Sequence, residues 1–266
     1  MQLYQVDAFT DQIFKGNPAG VCILSPDKMN DEALLQNLAA EMNLSETAFL
    51  SKEGSEYHLR WFTPETEVEF CGHATLSSAH ILWETGLESR ANEIQFRTLS
   101  GKLLARSKEG KIELDFPSFK VEEISSQENI NIALGVIPIY TGVTRNRYLL
   151  ELDSFNTLKS LKPDFERLKA IGRTTFTVTC VSDNPGYDFY SRFFAPAVGI
   201  NEDPVTGSAH SSLAPYWSAK LGKNKLVGYQ ASKRGGRVEC ELLPVGRVLI
   251  SGFARTVFEI TLKVQL

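Results

Sequence analysis

The 266-residue sequence has no run of about 18 apolar residues, so it offers no candidate membrane-spanning helix. No Gly-x-Gly-x-x-Gly follows a strand pattern and no Gly-x-x-x-x-Gly-Lys-Ser/Thr occurs, so dinucleotide and phosphate-loop readings lack their motifs. Cysteines are few: Cys22, Cys71, Cys180 and Cys240 fit no Cys-x-x-Cys spacing, and free buried thiols are expected. Positive charge is not in excess. With 28 Lys and Arg against 32 Asp and Glu, the net charge of −4 gives no reason to expect nucleic acid or an anionic membrane as partner. The first residues, Met1 to Asp7, show no basic stretch leading into an apolar one, so a cytoplasmic protein is expected.

What is present starts with length. A chain of this size is long for a single small core, and two domains or one large one is expected. The chain also repeats itself. Arg60-Trp61-Phe62-Thr63-Pro64 matches Arg192-Phe193-Phe194-Ala195-Pro196 at an offset of 132. Cys71-Gly72-His73-Ala74 then matches Thr206-Gly207-Ser208-Ala209 at an offset of 135, and each run reaches a closing glycine, Gly86 or Gly222. Two ordered matches in the same strand-to-helix context point to two domains of similar fold, 1–118 and 119–266, with a last strand near 257–264 returning to the first.

The local patterns fit that division. Leu3–Phe9 and Ala19–Leu24 read as strands around a Gly16-Asn17-Pro18 turn. Asn30 or Asp31 caps a helix whose Leu34, Leu35, Leu38 and Met42 follow helical spacing. Thr47–Leu50 and Tyr57–Phe62 read as strands, and 73–85 as a helix stopped by Gly86. Ala74, Leu76, Ala79, Ile81 and Leu82 put apolar groups on several of its faces, which places it inside a domain. Residues 94–116 read as two or three strands. The second half follows the same order: strands near 137–152, a helix near 157–170, strands at 174–181 and 187–194, and a helix from 207. Pro215 inside that last helix predicts a kink or an early end.

The repeat has chemical consequences. Gly72-His73 and Gly207-Ser208 each open a helix, whose unpaired N–H groups and positive potential suit a carboxylate ligand. A glycine before a helix is also an ordinary turn. Glu46 lies between a helix and a strand, while the corresponding Gly172-Arg173-Thr174-Thr175 carries no acid. Asp203 precedes Gly207 by four residues, and Val68 stands at the equivalent place before Gly72. Two carboxylates in different settings can hold different protonation states and divide acid and base work at neutral pH. The plainer reading makes Asp203 a turn residue before Pro204 and Glu46 a solvated loop acid. His73 and His80 lie about 10.5 Å apart along a helix rising roughly 1.5 Å per residue, too far for one ion. Asn17 is a candidate substrate contact or a turn residue. Arg234-Gly235-Gly236 reads as a hairpin turn, or as one whose arginine balances a substrate carboxylate.

Gly16-Asn17-Pro18-Ala19-Gly20-Val21, Asn43-Leu44-Ser45-Glu46-Thr47-Ala48-Phe49, Phe70-Cys71-Gly72-His73-Ala74-Thr75 and Glu202-Asp203-Pro204-Val205-Thr206-Gly207-Ser208-Ala209 together resemble the PhzF-like, or phenazine biosynthesis-like, isomerase family. The match runs in order over essentially the whole chain. The resemblance implies the α/β diaminopimelate epimerase fold: two pseudo-symmetric domains, each a curved, mostly antiparallel sheet or barrel around a central helix, with the active site between them. It implies active-site roles for Glu46, Asp203, His73 and Ser208 without metal or organic cofactor: the first three are expected in catalysis and Ser208 at the substrate, with Gly72, Gly207, Asn17 and Thr206 as further candidate substrate contacts. The implied partner is a small acidic metabolite, and a homodimer is compatible.

Rival readings remain. Epimerases and racemases of the same fold use two thiols, one at each helix start. Here the second position is Thr206, far too weak an acid to replace a thiol, so a two-cysteine mechanism is disfavoured. Cys71 reads as a packed residue, or as a lone reactive thiol at a helix start. A non-catalytic binding protein on the same fold is the remaining alternative.

Overall fold

The computed structural model describes residues 2–145, 147–172 and 175–263. Thr174 and Val264, at the ends of two expected strands, and Arg173, in the stretch that corresponds to Leu44–Thr47, lie outside the described residues. The chain divides into two compact units: Met1–Asp115 with Ser251–Leu266, and Phe116–Ile250.

The first unit contains β1 (Gln2–Ala8), β2 (Asn17–Ile23), helix α1 (Glu32–Met42), β3 (Glu46–Glu53), β4 (Glu56–Phe62), the short β5 (Glu67–Val68), helix α2 (Gly72–Glu84), β6 (Ile94–Thr98), β7 (Gly101–Lys108) and β8 (Lys111–Pro117). The strand Ala254–Thr261 pairs antiparallel with β1. From there the sheet runs β1, β2, β3, β4, β6, β7 and β8. Only β2/β3 and β4/β6 are parallel, and β5 hangs from β4. Asp31 caps α1 by accepting from the Leu34 N–H at 3.0 Å. Leu35, Leu38 and Ala39 of α1 pack against Leu3, Cys22, Phe49 and Phe62. The alternate row on the strands, including Val21 and Ala48, points to the other face and is equally buried. Helix α2 packs against β1, β2, β3 and the strand Ala254–Thr261, and every residue from Gly72 to Trp83 is buried.

The second unit contains β9 (Glu122–Glu123), α3 (Glu128–Leu134), β10 (Tyr140–Thr144), β11 (Arg147–Glu151), α4 (Phe155–Ser160), α5 (Phe165–Ala170), β12 (Thr175–Val181), β13 (Phe189–Ala195), β14 (Ile200–Asp203), α6 (His210–Leu221), β15 (Lys225–Gln230), β16 (Gly236–Leu243) and β17 (Arg247–Gly252). Its pairing order is β9, β10, β11, β12, β13, β15, β16, with β11/β12 and β13/β15 parallel and β14 hanging from β13. This is the pairing pattern of the first unit, strand for strand from β10 onward. Ile130, Leu134, Leu158 and Leu168 of α3, α4 and α5 cover one face over Leu150, Phe176, Val178 and Phe194.

Three local expectations are corrected and one helix is added. Asn17 and Pro18 lie inside β2, not in a turn; the reversal comes earlier and ends at Gly16, whose φ is +66°. A Cβ there would stand 2.1 Å from the Ala8 carbonyl oxygen, so glycine is required. The single helix expected at 157–170 is two, because Pro163 ends one and the Ser154 and Asp164 side chains cap α4 and α5 separately. Helix α3 was not read from the sequence. Finally, α6 runs through Pro215 to Leu221 without ending early. Proline leaves the Ser211 carbonyl without its helical donor, and the Phe119 N–H supplies one at 2.8 Å.

Two stability measurements follow. Leu76, fully buried in α2, should cost about 2–5 kcal/mol in urea unfolding when replaced by Ala. Pro215→Ala should change stability by less than about 1 kcal/mol, because the Ser211 carbonyl is already satisfied. A gain near the roughly 3 kcal/mol that proline costs in an ordinary helix interior would show that Phe119 does not compensate.

Candidate active site

In the first unit the site is built where two parallel strands begin beside a helix start. Glu46 is the first residue of β3 and Asn17 the first of β2, and the Ser45 hydroxyl donates to Asn17 Oδ1 at 3.4 Å. Asn17 is fully buried. Cys71 stands at the N-cap position of α2 with extended backbone and no side-chain cap, so the first-turn N–H groups keep their positive potential, and no acid occupies that turn. His73, in the same turn, sits between two neighbours. Its Nε2 is 3.3 Å from Glu46 Oε2, and its Nδ1 is 3.5 Å from Cys71 Sγ. The Glu46 contact is close but not aligned as a hydrogen bond. Burial pushes the His73 pKa down to about 3, so its imidazole is neutral at physiological pH.

Glu46, Cys71 and His73 bring one ligand atom each within 4.8 Å of one another, close enough to consider a metal ion. The close contacts use opposite nitrogens of His73, whereas one ion takes one nitrogen, and the α2 start disfavours a cation. The arrangement suits a proton path of thiol, imidazole and carboxylate better. His80 belongs elsewhere: its Nε2 lies 3.1 Å from Thr256 Oγ1 and 3.5 Å from Glu84. A cavity of about 530 Å³ lined by Tyr4, Glu84, Thr256 and Glu259 lies at the C-terminal end of α2, away from Glu46 and His73. All four cysteines are buried and none is in a disulfide.

In the second unit Asp203 closes β14 and is buried. Thr206 donates its hydroxyl to Asp203 Oδ2. The buried Gln230 amide ties the same loop three times more, donating to the Asp203 carbonyl at 2.7 Å and the Thr206 hydroxyl at 3.2 Å and accepting from the Thr206 N–H at 2.9 Å. Gly207, Ser208 and Ala209 form a 3₁₀ turn that feeds α6, with Thr206 at its uncapped N-cap position. Arg147, the first residue of β11, donates to the Ser208 carbonyl at 2.7 Å, the Ser208 hydroxyl at 3.3 Å and the Thr175 hydroxyl at 3.2 Å. Burial pushes the Arg147 pKa down to about 10, against the pull of Asp203, which leaves the guanidinium charged at neutral pH. His210 Nδ1 lies 2.9 Å from the Thr206 carbonyl oxygen, and burial pushes its pKa down to about 4.

The structure therefore gathers Glu46, His73, Gly72 and Asn17 in one set, and Asp203, Thr206, Gly207 and Ser208 in another, each within its own unit. Arg234 precedes Gly235 in the hairpin between β15 and β16, as the turn residues suggest. Sequence reasoning missed Arg147 and Gln230. Neither sits in a motif, and their signal lies only in the strand register that places them at strand ends beside the α6 start.

The buried histidines make stability depend on pH. His73 and His210 have pKa values near 3 and 4 in the folded chain, against 6.5 when free. The unfolded state binds more protons between those limits, so their contribution is complete above about pH 6.5 and is lost as pH falls towards 4. At pH 5 these two histidines should add close to two protons to the uptake on unfolding, read from the slope of urea-unfolding free energy against pH. His73→Asn should reduce the uptake by about one proton; an unchanged slope would place His73 in an exposed setting.

Comparison with known proteins agrees with this frame. The family model for phenazine biosynthesis-like protein matches residues 6–260. An uncharacterized isomerase of Halalkalibacterium halodurans is 52% identical over 257 residues, 96% of each chain. The crystal structure of a PhzF family protein from Enterococcus faecalis superposes with a TM-score of 0.92 at 42% identity, covering 98% of this chain and 99% of that one. A probable proline racemase from Agrobacterium radiobacter, at 12% identity, shares the fold with a TM-score of 0.65 over 99% of this chain and 93% of that one. No helix among the described residues is long and apolar enough to cross a membrane. With the epimerase/racemase fold and a family match over nearly its whole length, this chain belongs to the phenazine biosynthesis-like, PhzF-type isomerase family.

Proposed function

We propose that this protein moves a proton, and with it a double bond, on a small carboxylate-bearing metabolite, with Glu46 as the proton carrier. The observation that carries the reading is the contact between the Glu46 carboxylate and a neutral, buried His73 at the α2 start. A carboxylate can remove a proton from one carbon and return it to another while the substrate is held still. The neutral imidazole can donate to a substrate oxygen or carry a proton to and from Glu46. Asp203, held by Thr206 and Gln230, is a second carboxylate, suited to orienting polar groups of a substrate. Ser208 and the N–H groups after Gly207 receive its carboxylate. The reading needs neither metal nor organic cofactor for the proton transfer.

The epimerase alternative needs two matched acids, one for each face of a single carbon. Cys71 and Thr206 occupy the two N-cap positions, and Thr206 is engaged in holding Asp203. This supports a one-carboxylate shuttle over a thiol pair.

The test is solvent-deuterium incorporation into a panel of small conjugated acids, followed by mass spectrometry. The wild-type chain should label at least one of them. Glu46→Gln preserves shape and should slow labelling by roughly 10²–10⁴-fold, the usual range for loss of a general acid–base group. Cys71→Ser should slow it by less than about tenfold. The reverse ranking would make the thiol the proton carrier and overturn the proposal.

A further inference from the structure

The α6 start is served by a cation that no sequence motif announces. Arg147 has five N–H donors, and three hydrogen bonds go to neutral oxygens: the Thr175 hydroxyl, the Ser208 carbonyl and the Ser208 hydroxyl. No described carboxylate forms an ion pair with it, and its nearest charge relationship is the field of Asp203. The guanidinium lies over the Phe193 ring, 5.1 Å from its centroid, which fixes its plane. A part-buried cation bonded to neutral acceptors keeps most of its charge for whatever anion arrives. The bond to Ser208 Oγ has a second effect. It fills an acceptor site on that hydroxyl and leaves the Ser208 proton to be donated, and no described residue accepts it.

The strand register places this cation in a meaningful position. Arg147 pairs with Thr175 at the start of β11 and β12, as Ala19 pairs with Glu46 near the start of β2 and β3. Where the first unit carries a carboxylate, the second carries a threonine bound by a guanidinium. The two units thus hold opposite charge at corresponding places in the sheet.

We infer that Arg147 is the positioning residue that makes the α6 start selective for an anionic substrate group, by fixing Ser208 as a hydroxyl donor and supplying the positive charge behind it. The inference rests on the proposed placement of the substrate carboxylate at Ser208. It extends that reading by naming what discriminates a carboxylate from a neutral group of the same shape.

The test compares benzoate with its neutral isostere benzamide as probes, by ligand-observed NMR titration at pH 7. The full chain should bind benzoate at least tenfold more tightly than benzamide. Arg147→Met should weaken benzoate at least tenfold and leave benzamide unchanged, bringing the two together. Arg147→Lys keeps the charge but cannot span the Ser208 carbonyl and hydroxyl, so it should recover part of the preference. A structural defect would weaken both probes alike, so an unchanged benzoate-to-benzamide ratio in Arg147→Met and Arg147→Lys overturns the inference. Should Arg147→Met fail to fold, the Arg147→Lys ratio decides alone. Glu46→Gln separates the two claims: it should retain benzoate preference while losing deuterium exchange. Loss of exchange in Glu46→Gln with no effect of Arg147 on the ratio leaves the shuttle standing and removes Arg147 from it. A wild-type chain indifferent to the two probes overturns the Arg147 inference and the carboxylate placement together.

Discussion

Helix α2 is buried on every side, from Gly72 through Trp83. A helix with no solvent face must be enclosed by sheet, and its sequence of small and apolar residues lets β1, β2, β3 and the strand Ala254–Thr261 approach it closely. That enclosure fixes the height of its first turn against the strand ends. Because β2 and β3 are parallel, their first residues emerge at the same edge, and the crossover between them carries α1 on the opposite face. Asn17, Glu46 and His73 are therefore brought together by packing rather than by local motif. The cost of moving α2 is the cost of opening the unit's core, which holds His73 against Glu46 although no strong hydrogen bond joins them.

The repeated Arg-aromatic-Phe-x-Pro pattern was the clearest internal signal in the sequence, and it has a physical cause. Arg60 grips Glu67 with two parallel bonds of 2.7 Å, and Arg192 grips Glu202 at 2.7 and 2.9 Å. Each arginine also donates to backbone carbonyls: Met29 for Arg60, and Leu158 and Leu161 for Arg192. A bidentate fork tolerates no lysine, so the motif stays recognisable in both halves. The fork positions the residue after each glutamate. In the first unit that residue is Val68, paired with Trp61; in the second it is Asp203, paired with Phe193. The offset of 135 read from Cys71 and Thr206 is thus the offset of the register itself.

Other features left no such mark. Pro215 looked like a helix breaker because the donor that replaces its missing bond, the Phe119 N–H, lies far away in the sequence. Arg147 and Gln230 act through long-range hydrogen bonds from strand ends, where one arginine or glutamine among many carries no pattern. The break between α4 and α5 was locally written, in Pro163 and the Asp164 cap, and yielded to an overlong reading of helical spacing. Periodicity and turn chemistry are local, and they recover elements. The partners that tune a site come from tertiary register, which only the folded chain displays.

The chemistry proposed for the chain follows from where the two units differ inside a shared frame. Inverting one carbon calls for two groups of like acidity at equivalent positions, one on each face. Here the equivalent positions carry unlike groups: Cys71 against Thr206, Glu46 against Thr175, Val68 against Asp203. Thr206 spends its hydroxyl on Asp203, and Thr175 accepts from Arg147, so neither is available as a mirror-image acid. The first unit concentrates groups that exchange protons, a carboxylate beside a neutral imidazole. The second concentrates groups that hold charge in place: a hydrogen-bonded carboxylate, a guanidinium and a helix start. A division of that kind favours carrying a proton from one atom of a substrate to another over inverting a single centre. It is written at a few strand and helix ends, within a strand-pairing pattern and a pair of arginine forks that the two units share.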